Sequence, residues 1–457
     1  MKRSLKPSPV TRVLARRLAA LAFEDLPPSV VDRAKACLLD WIGAALCGSN
    51  SPTARIALRA VRRIAGRGRA TLVGARLTAG AFGAAFYNGA VAAVDEIDDV
   101  HQEASLHPGI VVIPAALAMA EGEGASGRRL LTAVVAGYDM AVRVARAAGP
   151  SHYATWHTTG TCGTFGAAAA AGSILGLDPT TMAMALGLAG TQAAGLWESL
   201  NDTATMAKHL HSAKAASSGI LAALLAREGL RGSPNILEGP KGFLAAASEA
   251  SPDDLKRLTA NFGRPFLITR NFFKRYACCR AAFEGVDVIE RLRETEPGAL
   301  DAIRQITVTM KPNRLWLIGN TKPATAFDAK FSLPFCMALM AHAGRVAAAD
   351  FTAANRCDPA IRRLMRKVTL VADPACPVKA RIEIRFRGKK APLVAESVCR
   401  SPQIPDVAKK FTETLTPLTP QHRIEELLAV VDRLDRMRSL TELSRLLAAP
   451  LTRRLPR

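Results

Sequence analysis

Thr158-Thr-Gly-Thr-Cys-Gly-Thr-Phe-Gly-Ala-Ala-Ala-Ala-Ala-Gly-Ser-Ile-Leu-Gly-Leu177 is the longest uncharged stretch of the chain. Its length is that of a membrane span, but its glycines and its Thr and Ser hydroxyls make it a poor one, and Asp178-Pro179 stops it at once. The stretch reads instead as a buried helix whose side chains are small enough for helix backbones to pack directly on one another.

The same texture extends on both sides of it. Residues 10 to 265 read almost wholly as helix. Val13-Leu14, Leu18 and Leu21-Ala22 recur at helical spacing, and Pro27-Pro28-Ser29 opens a second helix with Val30, Ala34, Cys37-Leu38 and Trp41-Ile42 on one face. Further helices are expected around residues 52–65, 78–95, 108–121, 127–148, 162–175, 179–194, 206–228 and 252–259, separated by Gly, Pro, Asn and Asp. From about residue 266 the pattern changes. Ile303 to Met310 and Ala380 to Phe386 alternate apolar and polar residues as half-buried strands do, and Val368 to Ala372 is a third candidate. Helices are expected between them at about 280–294 and 333–345. After Pro402 and Pro405 the chain turns helical again, over 406–414, 421–432 and 438–447. The expected fold is mainly α: residues 1–265 begin a large all-helical domain, 266–404 form a smaller α+β domain, and 405–457 return as C-terminal helices that complete the first.

At 457 residues the chain has room for two or three domains, and with 49% hydrophobic and 22% charged residues it is composed like an ordinary globular protein. Only 5% of residues are aromatic, so Ala, Leu, Val and Gly must build the interior. The 61 Lys and Arg against 39 Asp and Glu leave a net charge of +22, which points to an anionic partner: nucleic acid, a membrane surface or an acidic small molecule. The basic residues are scattered, with clusters mainly at the ends (Arg12, Arg16, Arg17; Arg453, Arg454, Arg457), and no recognition helix, zinc-finger spacing or aromatic-studded basic strand accompanies them. The expectation is no nucleic acid and no membrane. Nine cysteines without regular spacing give no disulfide framework, and the N-terminal segment lacks the apolar core of a signal peptide. A reducing, cytoplasmic setting is expected.

Gly122-Glu-Gly-Ala-Ser-Gly127 fits GxGxxG literally, but a helical pattern precedes it where a dinucleotide fingerprint needs a strand. A helix-to-helix turn with Ser126 as the next N-cap is the better reading. The informative residues are histidines: of 8, six lie between positions 101 and 211. They sit in three polar segments of an otherwise apolar domain: Asp95-Glu-Ile-Asp-Asp-Val-His-Gln-Glu-Ala-Ser-Leu-His-Pro-Gly109, His152 to Gly166, and Lys208-His-Leu-His-Ser-Ala-Lys214. Carboxylates, imidazoles and a lysine together suit proton abstraction beside a carboxylate, with cations holding the charge that develops. A metal site competes for the same residue types, but no ligand pair stands at helical spacing, so neither metal nor cofactor is expected. The plain reading of any one histidine is a packed or capping ring, and of His209 a ring facing solvent.

The segment from His157 through Ala171 resembles the hallmark of the MmgE/PrpD family, which includes 2-methylcitrate dehydratase, cis-aconitate decarboxylase and iminodisuccinate epimerase. Similar to that family as well are Asp98-Asp99 with His107-Pro-Gly109; Lys208-x-Leu-His211 with Ala215-Ala216 and Gly219; Leu237-Glu-Gly239 with Gly242-Phe243; Lys274-x-Tyr276-x-Cys-Cys-Arg280; and Ala329 to Pro334. The resemblance covers nearly the whole chain. It implies that the α+β domain is a lid on the helical one, that the protein is a homodimer, and that it handles a small anionic polycarboxylate without a cofactor. It also implies roles. His107 and His157 would be the acid and base, and Glu96 and Asp98 would orient or polarise them. Lys208 would hold a carboxylate or stabilise an enolate, and His211, Lys274 and Arg280 would bind substrate.

One departure matters. Where the family often carries a histidine three residues after Arg280, this chain has Phe283; Ala277 and Val100 replace a usual proline and threonine. Phenylalanine cannot move a proton, so the reactions that rely on that imidazole in the family, methylcitrate dehydration and cis-aconitate decarboxylation, lose their carrier here, and Tyr153 is a candidate substitute beside its plainer reading as a packed aromatic. The expected reaction is dehydration of a 2-methylcitrate-like hydroxy acid. Epimerisation or decarboxylation of a related acid, iminodisuccinate-like or cis-aconitate-like, is the alternative on the same scaffold, and a basic nucleic-acid-binding protein the alternative of another class.

Overall fold

A computed structural model describes residues 9–201, 206–396, 404–453 and 455. Pro402, Arg454 and Arg457 lie outside them. The chain is mainly α, with a smaller α+β region, as its patterning indicates.

Among the described residues the N-terminal part is built mainly on α1 (Val10–Ala20), α2 (Pro28–Gly48), α3 (Pro52–Ile64), α4 (Ala81–Ala92), α5 (Gly109–Glu123), α6 (Gly127–Tyr153), α7 (Thr158–Leu175), α8 (Pro179–Gly190) and α9 (Ala207–Arg227), followed by the short helices Phe243–Ala247 and Pro252–Thr259. The uncharged stretch is α7, and it is the centre of the molecule, packed against α5, α6, α8 and α9 with nearly every residue buried. Its small residues are a geometric necessity. A Cβ on Gly219 of α9 would stand 2.4 Å from the Ala167 Cβ and 2.5 Å from the Ala168 nitrogen, and one on Gly166 would stand 2.7 Å from the Gly137 carbonyl oxygen. Such helices gain their stability from dense backbone-to-backbone contact.

The GxGxxG stretch is a helix-to-helix turn. α5 ends at Gly124 with φ 65°, and the Ser126 hydroxyl accepts the Arg129 N–H at 3.3 Å to cap α6. α6 runs past its expected end through a kink at Gly149. Inside the region expected to be almost wholly helical, the structure places a hairpin of β1 (Ala70–Leu72) and β2 (Leu77–Ala79). Three-residue strands are too short for alternation to show.

The α+β region carries a four-stranded sheet in the order β4-β3-β5-β6, formed by β3 (Ile303–Met310), β4 (Val368–Ala372), β5 (Arg381–Phe386) and β6 (Leu393–Glu396). β3 pairs in parallel with β4 and antiparallel with β5. Ile306, Val308, Ile382 and Ile384 bury one face. β6, unexpected from sequence, is an edge strand of mostly exposed residues and carries no apolar alternation. Helices Phe283–Thr295 and Leu333–Ala343 pack on each other beside the sheet. The C-terminal helices Ile404–Leu415 and Gln421–Asp432 pack on α2. There Lys410 pairs with Asp40 at 2.5 Å and donates to the Ile97 carbonyl at 2.6 Å, tying the C-terminal part to the carboxylate-rich segment after α4. Among the described residues no helix is long and apolar enough to cross a membrane.

Candidate active site

The segment between α4 and α5 buries four carboxylates within five residues. Its backbone takes left-handed values at Glu96 (φ 54°) and Ser105 (φ 46°), a conformation costly for residues with a Cβ and found where surrounding contacts over-determine it. Each carboxylate is partnered, and Lys274 serves two of them. Asp95 pairs with Lys330 at 2.7 Å. Glu96 takes Lys208 on one oxygen and Lys274 on the other, the latter at 3.0 Å. Asp98 accepts from Lys274 at 3.4 Å and meets the His107 Nδ1 at 2.8 Å. Asp99 accepts from the Tyr138 hydroxyl at 2.7 Å, the Gly109 N–H at 3.0 Å and Asn271.

Burial and charge set the protonation states. Burial alone would raise the Asp98 carboxyl, but Lys274 and His107 overcome it and hold it down at about 2. Burial likewise works against ionised Glu96, and Lys208 and Lys274 keep it well below the usual carboxylate range. Asp99 has no cationic partner among the described residues, and burial and the nearby Asp40 charge push it up to about 7. The Lys274 ammonium loses to desolvation but gains more from Asp98 and Glu96, and its value rises.

His107 is the histidine best placed to act. Its N–H donates to the Thr159 hydroxyl at 3.1 Å, which fixes the backbone, and its Nδ1 faces two acceptors, the Asp98 carboxylate and the Asp99 carbonyl at 3.1 Å. With acceptors only, Nδ1 carries the proton and Nε2 is the free basic atom of the neutral ring. Burial lowers its pKa, and the Asp98 charge partly restores it. His157 caps α7. Its Nδ1 lies 3.0 Å from the His211 Nδ1, its ring lies 4.4 Å from that of Trp197, and its Nε2 is buried without a hydrogen-bond partner among the described residues. Burial first, then the Lys208 charge, drive its pKa well down. The His107 and His157 ring centres are 6.4 Å apart.

A cavity of about 730 Å³ opens where the helical part meets the α+β region. Of the residues expected in the site, His107, Tyr153 and Arg280 line it. Lys208 and Lys274, 3% and 0% exposed as side chains, are buried with Glu96 and Asp98 and are not among its described lining residues, nor are His157 and His211. Lys274, expected against substrate, is thus locked between two carboxylates. Tyr153 packs edge-on against Trp197 at 5.2 Å, and burial raises its hydroxyl well above the ordinary tyrosine value. Phe283 is fully buried, between the rings of Phe272 at 5.9 Å and Tyr276 at 4.9 Å. His209 does not face solvent: it is buried, with Nδ1 3.0 Å from the Thr53 hydroxyl. His152 is a structural ring, held by the Ala247 carbonyl and the Thr161 hydroxyl at 2.8 Å each.

Sequence reasoning missed the cavity's cationic wall. Arg146, Lys311, Arg314 and Lys379 line it with Arg280, against one carboxylate, Glu103, among the described lining residues. Lys311-Pro-Asn-Arg314 directly follows β3, and two cations at the end of a strand were the available signal. Among the described residues no group of three or more His, Cys, Asp or Glu side chains is arranged to hold a metal ion.

Fold and site together define a helical protein with an α+β region, whose buried carboxylate, lysine and histidine network backs a cationic cavity at their junction. The model of the MmgE/PrpD N-terminal domain matches residues 12–256, that of the MmgE/PrpD C-terminal domain matches residues 276–436, and the chain belongs to this family. It is 28% identical to a cis-aconitate decarboxylase of Aspergillus terreus, over 97% of each chain. It is 28% identical to the cis-aconitate decarboxylase-like protein oryM of Aspergillus oryzae, over 97% of this chain and 98% of the relative. The human cis-aconitate decarboxylase is 25% identical, over 96% of this chain and 95% of its own.

Proposed function

We propose that the protein is a cofactor-independent lyase of a small polycarboxylate, with His107 moving the proton. The observation that carries this reading is His107 on the wall of a cationic cavity, its Nδ1 bonded to the Asp99 carbonyl at 3.1 Å and 2.8 Å from the buried Asp98 carboxylate. The lining cations neutralise substrate carboxylates, and the Asp98 charge stabilises the imidazolium that forms when Nε2 gains a proton. Lys274 holds Asp98 ionised, and Glu96, paired with Lys208 and Lys274, anchors that lysine in place.

Decarboxylation of a cis-aconitate-like tricarboxylate comes first, because the full-length relatives are named for it. In that reaction carbon dioxide leaves from one arm, its bonding pair becomes the new double bond, and the old double bond takes a proton from the His107 imidazolium. Dehydration of a 2-methylcitrate-like acid is the second reading. It is favoured by the burial that holds His107 neutral, the state that abstracts a proton next to a carboxylate before hydroxide departs. Proton NMR in deuterated water on cis-aconitate, 2-methylcitrate and iminodisuccinate separates the outcomes. A deuterated product one carboxyl shorter supports the first, an alkene from the hydroxy acid the second, and exchange without net change epimerisation. No exchange or turnover with any of the three would refute the lyase reading.

A further inference from the structure

Glu284 is a fully buried carboxylate at the start of helix Phe283–Thr295, and it faces two guanidiniums. Arg280 Nη1 stands 2.9 Å from its Oε1, and Arg314 Nη2 stands 3.0 Å from its Oε2. The arginines come from separate elements, the turn Arg280–Ala282 and the helix Pro312–Ile318, yet both line the cavity. Arg280 is held further. Its guanidinium lies 4.9 Å from the Phe272 ring centre and 5.2 Å from that of Phe283, and its Nη2 reaches the Gln102 amide oxygen at 3.4 Å. One carboxylate shared by two guanidiniums leaves a surplus positive charge. The Nε atoms of both arginines are buried without a hydrogen-bond partner among the described residues. Buried donors without acceptors are costly, and a planar guanidinium is built to take a carboxylate with two parallel N–H bonds.

We propose that Arg280 and Arg314, braced through Glu284, form a clamp for one carboxylate of the substrate, and that Arg314 sets the preference for a tricarboxylate over a dicarboxylate. Arg314 would be a specificity residue touching substrate, and Glu284 a positioning residue acting through both arginines. Phe283 gains a role in this arrangement: its ring is one of the two aromatic faces that fix Arg280. The proposal rests on the polycarboxylate reading above and adds which group selects the acid.

Calorimetric titration of the full chain with two unreactive acids tests it: tricarballylate, and glutarate, which differs only in lacking the central carboxylate. The wild type should prefer tricarballylate. Arg314→Gln should weaken tricarballylate binding about tenfold to a hundredfold, the range for hydrogen bonds to a charged group, and leave glutarate nearly unchanged. Arg314→Lys, which keeps the charge and loses the fork, should fall between. Glu284→Gln should lower the preference, and Glu284→Asp should restore part of it. A wild type without the preference, or arginine variants that keep it in full, would overturn the clamp. A wild type that shows the preference, loses it in Arg314→Gln, and turns over none of the three candidate acids would refute the lyase reading and support the clamp.

Discussion

Replacing Asp98 by Asn removes one charge from beneath His107 and leaves the shape of the site intact. With 2.8 Å between Asp98 Oδ2 and His107 Nδ1, the gross attraction between carboxylate and imidazolium is about 6 kcal/mol at an effective dielectric constant of 20. The Asp99 carbonyl, 3.1 Å from Nδ1, still accepts its proton in the variant, so the net loss is nearer the value of one charged contact, about 1.5–3 kcal/mol. That corresponds to a fall in kcat/KM of roughly 10-fold to 150-fold. The pH dependence has a definite sign. Burial lowers the His107 pKa, the Asp98 charge raises it and the nearby lysines lower it, so without Asp98 the ring becomes a weaker base. Where His107 must be neutral to act, the acid limb of the kcat/KM profile should move to lower pH while the plateau falls. The assay is initial rates from pH 4 to 8 on whichever polycarboxylate the wild type consumes, with thermal unfolding as a control. An unchanged plateau, or an acid limb displaced upward, would refute the role given to Asp98.

Lys208→Met should shift the same limb the other way, because Lys208 is among the charges that depress His107 and His157; a downward shift would contradict that field. Asp99 makes stability itself depend on pH. Its folded value of about 7 lies above the ordinary 3.8, so its contribution is fully present below about pH 4 and is lost as pH rises through about 7. Asp99→Asn should therefore flatten the decline in denaturant midpoint between pH 5 and 8, and a decline as steep as in the wild type would argue against a protonated Asp99. Gly219→Ala should destabilise by about 1–3 kcal/mol, the cost of overpacking, since its Cβ would meet Ala167 at 2.4 Å; urea unfolding reads this directly.

The class of fold was legible because α7 and its neighbours are so poor in large side chains that only close helix packing can bury them. The hairpin β1–β2 and the edge strand β6 were not, since three or four residues with mixed exposure leave no period to detect. The chemistry-bearing segments could also be read from residue types alone, and the structure brings Glu96, Asp98, His107, Lys208 and Lys274 into one connected network. What sequence could not assign is depth. Lys274 and Arg280 lie six positions apart, yet Lys274 is fully buried between Glu96 and Asp98 while Arg280 lines the cavity. His209 and His211 were equally opaque, since helix α9 is buried around most of its circumference. The net charge of +22 pointed to an anion without locating it; the lining of the cavity shows where five of those cations converge among the described residues.

The central claim is that His107 transfers a proton at a carbon next to a substrate carboxylate. Deuterium incorporation from deuterated water, followed by proton NMR with wild type and His107→Gln on the preferred acid, tests it most directly. The account predicts incorporation at a single carbon by the wild type, and a rate at least a hundredfold lower in the variant, with tricarballylate affinity kept within a few fold. Incorporation by His107→Gln at the wild-type rate would contradict it.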